Sequence, residues 1–410
     1  MRLLAQLEQG IKDLQDQGLQ RQRHVVQTPC APHQRVDGAL RLNFSSNDYL
    51  GLASDPQVLA ALNEGVALYG AGSGASHLIS GHSTAHAQLE NKLATLYGPH
   101  LPQSQALSLC TGYMANLAVL GALTSGGDAE IFSDALNHAS IIDGARLSRA
   151  KVTVYPHLNV STLRRQLQAS QANIKLVVTD SVFSMDGHIA PLPELLRLCE
   201  EQCAWLVVDD AHGFGVLGKQ GLGALEHFGL RSPHLVLMGT LGKAAGVAGA
   251  FVAAHATVIE TLVQRARAYI YTTAAPPALA HALLTSLNII TGPQGAALRA
   301  HLQDLTSRWK EHMSEMFPAQ GDLLHPPCLM WSVTPIQPLV LGDNRTVMQA
   351  SRSLWQQGVW VTGIRTPTVP AGTARLRITL SAAHTHGDLE RLLGALACLT
   401  LGPVHGETLA

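Results

Sequence analysis

No block of like charge occurs anywhere in the 410 residues: 28 Lys and Arg stand against 29 Asp and Glu, a formal charge of −1. A chain with no basic or acidic face has no electrostatic attraction for nucleic acid or anionic lipid, which leaves small molecules and other proteins as partners. Cysteine is scarce as well. Cys30, Cys110, Cys199, Cys203, Cys328 and Cys398 show no C-x-x-C spacing of the zinc or thioredoxin kind, and the expectation is a reduced, cytoplasmic setting. Long apolar runs are also missing. The most apolar stretch, 244–259, is made of Ala, Gly and Val, contains His255 and Thr257, and falls short of the roughly 20 residues a membrane span needs. The apolar positions Leu3, Leu4, Leu7, Ile11 and Leu14 sit among Gln, Asp, Glu and Lys, the spacing of an amphipathic helix and not of a cleavable export signal. There is no internal repeat and no low-complexity segment.

What the chain has in quantity is apolar residue, 46%, against only 14% charged, compared with roughly 25% charged in an average soluble domain. That balance argues against disorder and for a large buried core. At roughly 150 residues per domain, this length makes two or three packing units.

Short apolar runs alternate with helix-period segments such as 189–203 through the middle of the chain, the signature of a parallel α/β sheet. Strands are expected at 106–110, 130–133, 152–155, 175–179, 205–209, 235–239 and 249–253. A helical stretch follows at 278–316, then strands at 336–341, 358–364 and 374–380 and a closing helix near 389–399, with the Pro-rich patch 324–327 as a loop. The organisation expected is an N-terminal helix and segment (1–50), a large domain (51–285) with a mainly parallel seven-stranded sheet flanked by helices, and a smaller α+β domain (286–410).

In an open parallel sheet, ligands bind beyond the carboxyl ends of the strands. After the first strand come Thr111, Gly112 and Tyr113 and a helical pattern, which aims free backbone N–H groups at an anion; a plain turn is the other reading. The strand 205–209 ends in Asp209-Asp210-Ala211-His212-Gly213, two carboxylates and an imidazole that are costly to bury unpartnered; a capping Asp and a satisfied His is the alternative. The strand 235–239 leads into Thr240-Leu241-Gly242-Lys243, where a solvated lysine is the simpler reading. This loop is not a Walker A site, because Leu237 and Ala244 stand where Gly and Ser or Thr are required. Gly213 to Gly218 fits G-x-G-x-x-G but runs on into Gly221 and Gly223 instead of a helix, so it is not a dinucleotide fingerprint. His82 and His86 lack the Glu of H-E-x-x-H, and His384 and His386 lie in a polar turn; no metal is expected. A lysine, a carboxylate and a phosphate cradle together are what pyridoxal 5′-phosphate (PLP) requires.

The motifs Asn43-Phe-Ser-Ser-Asn-Asp-Tyr-Leu-Gly-Leu52, Thr179-Asp-Ser-Val-Phe-Ser-Met-Asp-Gly187, Val208-Asp-Asp-Ala-His-Gly213, Gly239-Thr-Leu-Gly-Lys243 and Pro367-Thr-Val-Pro-Ala-Gly-Thr-Ala-Arg-Leu-Arg377 resemble, in unbroken order, those of the α-oxoamine synthases, PLP enzymes of fold type I. The resemblance implies that Lys243 forms the Schiff base and moves the α-proton, that Asp209 pairs with the pyridinium nitrogen, and that His138 stacks on the cofactor ring. It implies that Ser184 and His212 bond the phenolic oxygen, that Gly112, Tyr113 and Thr240 contact phosphate and ring, and that Thr272 reaches the phosphate of a partner subunit in a homodimer. Arg377, assisted by Asn47, would hold the amino-acid carboxylate, with Arg21 and Thr368 beside the acyl substrate. The activity implied is decarboxylative condensation of L-alanine with a pimeloyl thioester, on coenzyme A or a carrier protein, in biotin synthesis. A glycine-using relative (2-amino-3-ketobutyrate ligase or 5-aminolevulinate synthase) is the alternative, and a non-catalytic partner subunit a more distant one. Phe214 departs from the family pattern, standing where a small polar residue often follows Asp-Asp-Ala-His-Gly, which bears on acyl-chain selectivity near that loop.

Overall fold

The run Leu206-Val207-Val208 is buried without a break into Asp209, as a strand covered on both faces must be. It lies in a seven-stranded sheet whose order is Ser104–Leu109, Ala250–His255, Leu235–Thr240, Trp205–Asp209, Ile174–Asp180, Ala129–Asp134, Lys151–Tyr155. The computed structural model describes residues 2–317, 327–330 and 332–399. Pairing is parallel except for Ala250–His255, which runs antiparallel to both neighbours. The short connection 241–249 before it explains this, since a parallel crossover needs a dozen residues or more. Each expected strand of this sheet is present, shifted by no more than two residues at either end.

The helices Gly112–Leu123 and Ala139–Ser148 start on side-chain caps, which satisfy N–H groups the helix leaves open. Thr111 Oγ1 accepts from the Met114 amide at 3.2 Å ahead of Gly112–Leu123. His138 Nδ1 accepts from the Ser140 amide at 3.2 Å ahead of Ala139–Ser148. Leu192–Glu201 buries Leu192, Leu195, Leu196, Leu198 and Cys199. The helical stretch expected at 278–316 is two helices, Pro277–Thr291 and Pro293–Met316. Gly292 holds an extended ψ of −176°, which suits the residue before a proline and ends a helix there.

The chain divides into two compact units. One comprises 50–184 and 189–300 and holds the seven-stranded sheet; the other comprises 1–49, 185–188 and 301–410. The N-terminal segment thus shares a unit with the C-terminal residues. A hairpin not expected from the sequence, His33–Val36 with Ala39–Asn43, turns through Asp37 and Gly38, both at positive φ (49° and 81°). Asp-Gly is a common two-residue hairpin turn. The strand expected at 358–364 is two short ones. Val359–Trp360 joins the hairpin in parallel, while Thr362–Ile364 pairs with Ala374–Thr379 in a four-stranded antiparallel sheet with Ile336–Gly342 and Cys328–Leu329. Of the loop expected at 324–327, residues 324–326 lie outside the described residues.

The N-terminal helix spans Arg2–Asp16, and its apolar face, Leu3 to Leu14, is exposed. All six cysteines are free. Among the described residues no helix is long and apolar enough to cross a membrane.

Candidate active site at the carboxyl ends of the strands

Adjacent strands in a sheet lie roughly 4.8 Å apart, so residues just past the ends of consecutive parallel strands converge. His138 follows Ala129–Asp134, Ser184 follows Ile174–Asp180, Asp209 ends its strand with His212 three residues on, and Thr240 ends Leu235–Thr240 with Lys243 beyond. Gly112 opens the helix after Ser104–Leu109; a side chain there would rest against Met238 and Thr240, at 3.6 and 3.9 Å. Thr240 Oγ1 donates to the Gly249 carbonyl at 3.2 Å. Thr272 lies elsewhere, past the short helix Arg267–Ile270.

The half-buried Lys243 shares a hydrogen bond of 2.8 Å between its Nζ and His212 Nε2. Its turn is locked by Gly246, at φ +70°, where a Cβ would sit 2.4 Å from the Ala53 nitrogen. Only glycine allows that approach.

Asp209 is buried and accepts on both oxygens, from the Ala211 amide (3.0 Å) and from Asn116 Nδ2 (2.8 Å). A carboxylate has about four lone-pair positions, which leaves acceptor capacity for a further cationic N–H. The other N–H of Asn116 goes to Ser140 Oγ at 2.8 Å, and that hydroxyl lies 2.7 Å from His138 Nδ1. With its oxygen accepting from Asn116, the Ser140 hydroxyl donates to Nδ1, which also accepts the Ser140 amide. The His138 proton therefore sits on Nε2. Burial lowers the His138 pKa from its ordinary value, opposed by the Asp209 charge and assisted by that of Lys243. Asp180, which accepts the His138 amide at 2.8 Å, is raised well above the carboxylate range by burial and then by Asp209.

Asp210 plays a different part. Burial raises it to about 7, and its oxygens face Ser181 Oγ and the Ala224 amide. The glycine run from Gly213 wraps the turn after it, with the Gly213 and Phe214 amides returning to the Asp210 carbonyl, which accounts for the G-x-G-x-x-G match. Phe214 is buried and meets Phe251 edge to face at 5.4 Å. Its ring is core packing and not part of an exposed loop surface. Tyr113 is exposed, with its hydroxyl on the Asp143 carboxylate, a bond that raises its pKa.

Within the other unit, Arg377 is buried in Ala374–Thr379 and directs Nη1 and Nη2 at Asn47 Oδ1, both at 3.1 Å, with Nη1 also 2.9 Å from Thr379 Oγ1. The fully buried Tyr49 donates to the same Asn47 oxygen at 3.3 Å. Arg21 and Thr368 line one cleft of about 630 Å³, shared with Arg352, Arg365, Trp355 and Trp360.

Sequence reasoning missed Asn116, Ser140 and Tyr49 as site residues. Asn116 had a readable signal, as a weak helix former among the buried apolar residues of Gly112–Leu123.

The residues fit PLP by the chemistry of the donor set: a lysine amine against an imidazole, a buried carboxylate with spare acceptor capacity, and the N-terminus of a 12-residue helix. Comparison with known proteins agrees. Residues 41–396 match the family model described as aminotransferase class I and II. The chain is 60% identical over 395 residues to a protein of Janthinobacterium sp. (strain Marseille) named 8-amino-7-oxononanoate synthase, covering 96% of this chain and 98% of that one. A serine palmitoyltransferase from S. paucimobilis, solved with PLP and myriocin bound, superposes with a TM-score of 0.86 at 28% identity over 95% of each chain. An 8-amino-7-oxononanoate synthase from Francisella tularensis does so at 0.73 and 31% identity, over 87% of this chain and 97% of that one.

Proposed function

The chain belongs to the 8-amino-7-oxononanoate synthases within the class I and II aminotransferase family, and from that membership we propose that it joins L-alanine to a pimeloyl thioester, releasing CO2 and the free thiol, in biotin biosynthesis. It is a PLP-dependent acyltransferase of fold type I. When bound, PLP supplies the electron sink that stabilises negative charge at the alanine α-carbon.

The chain's own residues do the rest. Lys243 would hold the cofactor and move the α-proton on its Nζ, with His212 Nε2 as its hydrogen-bond partner. Asp209 would face the pyridinium nitrogen, with Asn116 and the Ala211 amide keeping its oxygens in place. His138 would cover the ring, with its own proton on Nε2. Gly112, Tyr113 and Thr240 receive the phosphate and ring, Ser184 and His212 the phenolic oxygen. Arg377 grips the alanine carboxylate as a planar fork and Asn47 orients that fork, while Arg21 and Thr368 flank the acyl substrate. The working form is a cytoplasmic homodimer in which Thr272 serves the partner's phosphate; free thiols suit that compartment.

The observation that supports this reading most is the pairing of a buried carboxylate at the end of one strand with a lysine–histidine pair beyond the same and the neighbouring strand. Incubating the purified protein with pimeloyl-CoA and either L-alanine or glycine tests it, following thiol release and identifying the product by mass. Release with alanine and the mass of 8-amino-7-oxononanoate is the expected result; preference for glycine would shift the assignment to a sister activity.

A further inference from the structure

His82 and His86 alone make a poor metal motif, but the fold adds a third imidazole. Residues His77–Gly81 form a wide turn just ahead of the helix Thr84–Tyr97, and a Cβ on Gly81 would stand 2.1 Å from the Ala75 carbonyl, so the turn closes only around glycine. It brings His77 Nδ1 to 3.1 Å from His82 Nδ1, and one nitrogen from each of His77, His82 and His86 lies within 4.8 Å of the others. Two nitrogens on a tetrahedral zinc, each roughly 2.0–2.1 Å from the ion, stand about 3.3 Å apart.

The outer nitrogen of His86 is already committed in the way metal-binding histidines commit theirs, to a carbonyl, and that of His82 faces a carboxylate. His86 Nε2 donates to the Ala275 carbonyl at 2.9 Å. His82 Nε2 faces Glu90 Oε2 at 3.8 Å, and Glu90 is itself anchored through Oε1 by the Ser108 amide and hydroxyl, both at 2.8 Å. Tyr269 stacks on the His77 ring at 4.9 Å and 14°, fixing its plane. The inward nitrogens of His82 and His86 are thereby Nδ1. That of His86 accepts from the Ser83 amide and meets the Ser83 hydroxyl at 3.0 Å, contacts an ion would displace. His82 is exposed, which gives an ion an entry path.

We propose that His77, His82 and His86 form a three-histidine site for a divalent transition metal of the zinc class, separate from the cofactor residues. The second cluster of this kind among the described residues, His301, Asp304 and His386, is a weaker candidate. Its carboxylate oxygen is already shared by Arg308 and His386.

The test is calorimetric titration of tag-free, PLP-loaded full chain with ZnCl2, alongside His82→Ala, His77→Gln and His386→Ala. One Zn2+ per chain is expected, with affinity at least tenfold weaker in His82→Ala and His77→Gln, unchanged in His386→Ala, and cofactor absorbance unchanged in all three. Loading with Co2+ gives a second readout, a tetrahedral visible spectrum that His82→Ala removes. Absence of stoichiometric Zn2+ binding, binding that survives His82→Ala, or loss on His386→Ala would each overturn the proposal.

Discussion

The carboxyl edge of the seven-stranded sheet and the Arg377 pocket are both built around a buried charged side chain, but by opposite routes. At the sheet edge, the partners come from turns that follow consecutive strands, so each arrives with a local motif: Asp209 with His212, Thr240 with Lys243. In the Arg377 pocket the guanidinium meets an amide 330 residues away along the chain, Asn47. Where the sheet places neighbouring strand ends side by side, short motifs add up to a site. Where the contact is distant in sequence, each half is mute without the other.

The largest effect expected is at the sheet edge. Lys243→Ala should lower turnover by roughly 10⁴-fold or more, since it would remove the group proposed to move the proton and anchor the cofactor, and the purified protein should lose its yellow colour. A yellow, active variant would show that the motif had been misread and would dissolve the contrast.

Asp210→Asn separates the two carboxyls of the same motif. Burial raises Asp210 from 3.8 to about 7, so between those values the folded chain holds a proton that the unfolded chain has released. That contribution is complete below about pH 4 and is lost as pH rises to 7, a span of roughly 4 kcal/mol for a fully buried group. Thermal melts at pH 5 and 8 should differ less in Asp210→Asn than in the parent. An unchanged difference would remove Asp210 as the source.

Arg377→Ala should raise the KM for alanine roughly 100-fold, about 3 kcal/mol for a charge-assisted fork, while cofactor absorbance persists. Loss of both together would make Arg377 a structural residue. The smallest effect is expected from Asn47→Ala, about fivefold in the same KM, or near 1 kcal/mol for one neutral acceptor. Combined with Arg377→Ala it should add little further, because the two residues share one interaction; full additivity would show that the distant pairing does not orient the arginine.

The same contrast decides what was legible. The seven strands were readable because each is a short apolar run with buried neighbours; Asp209, His212 and Lys243 stood out because they follow such runs, whereas His138 was named only through the family resemblance. The hairpin His33–Val36 with Ala39–Asn43 was missed despite its Asp37-Gly38 turn, since its strands carry Gln34, Arg35 and Arg41 and show no apolar run. Phe214 looked like a departure near the substrate, yet only its packing on Phe251 reveals that it serves the core. Asn116 and Ser140 were passed over because their importance lies in what they join, Asp209 to His138, across three separate elements.

Hydrophobic periodicity and turn chemistry act over a few residues, so the sequence by itself determined the parallel α/β sheet and the strand ends beside which Asp209 and Lys243 lie. Hydrogen bonds and ring contacts need atoms within a few ångströms whatever their separation along the chain. Only the tertiary structure could therefore decide which of two adjacent aspartates accepts from Asn116, which proton His138 keeps, that Arg377 leans on Asn47, and that His77 turns back to meet His82 and His86.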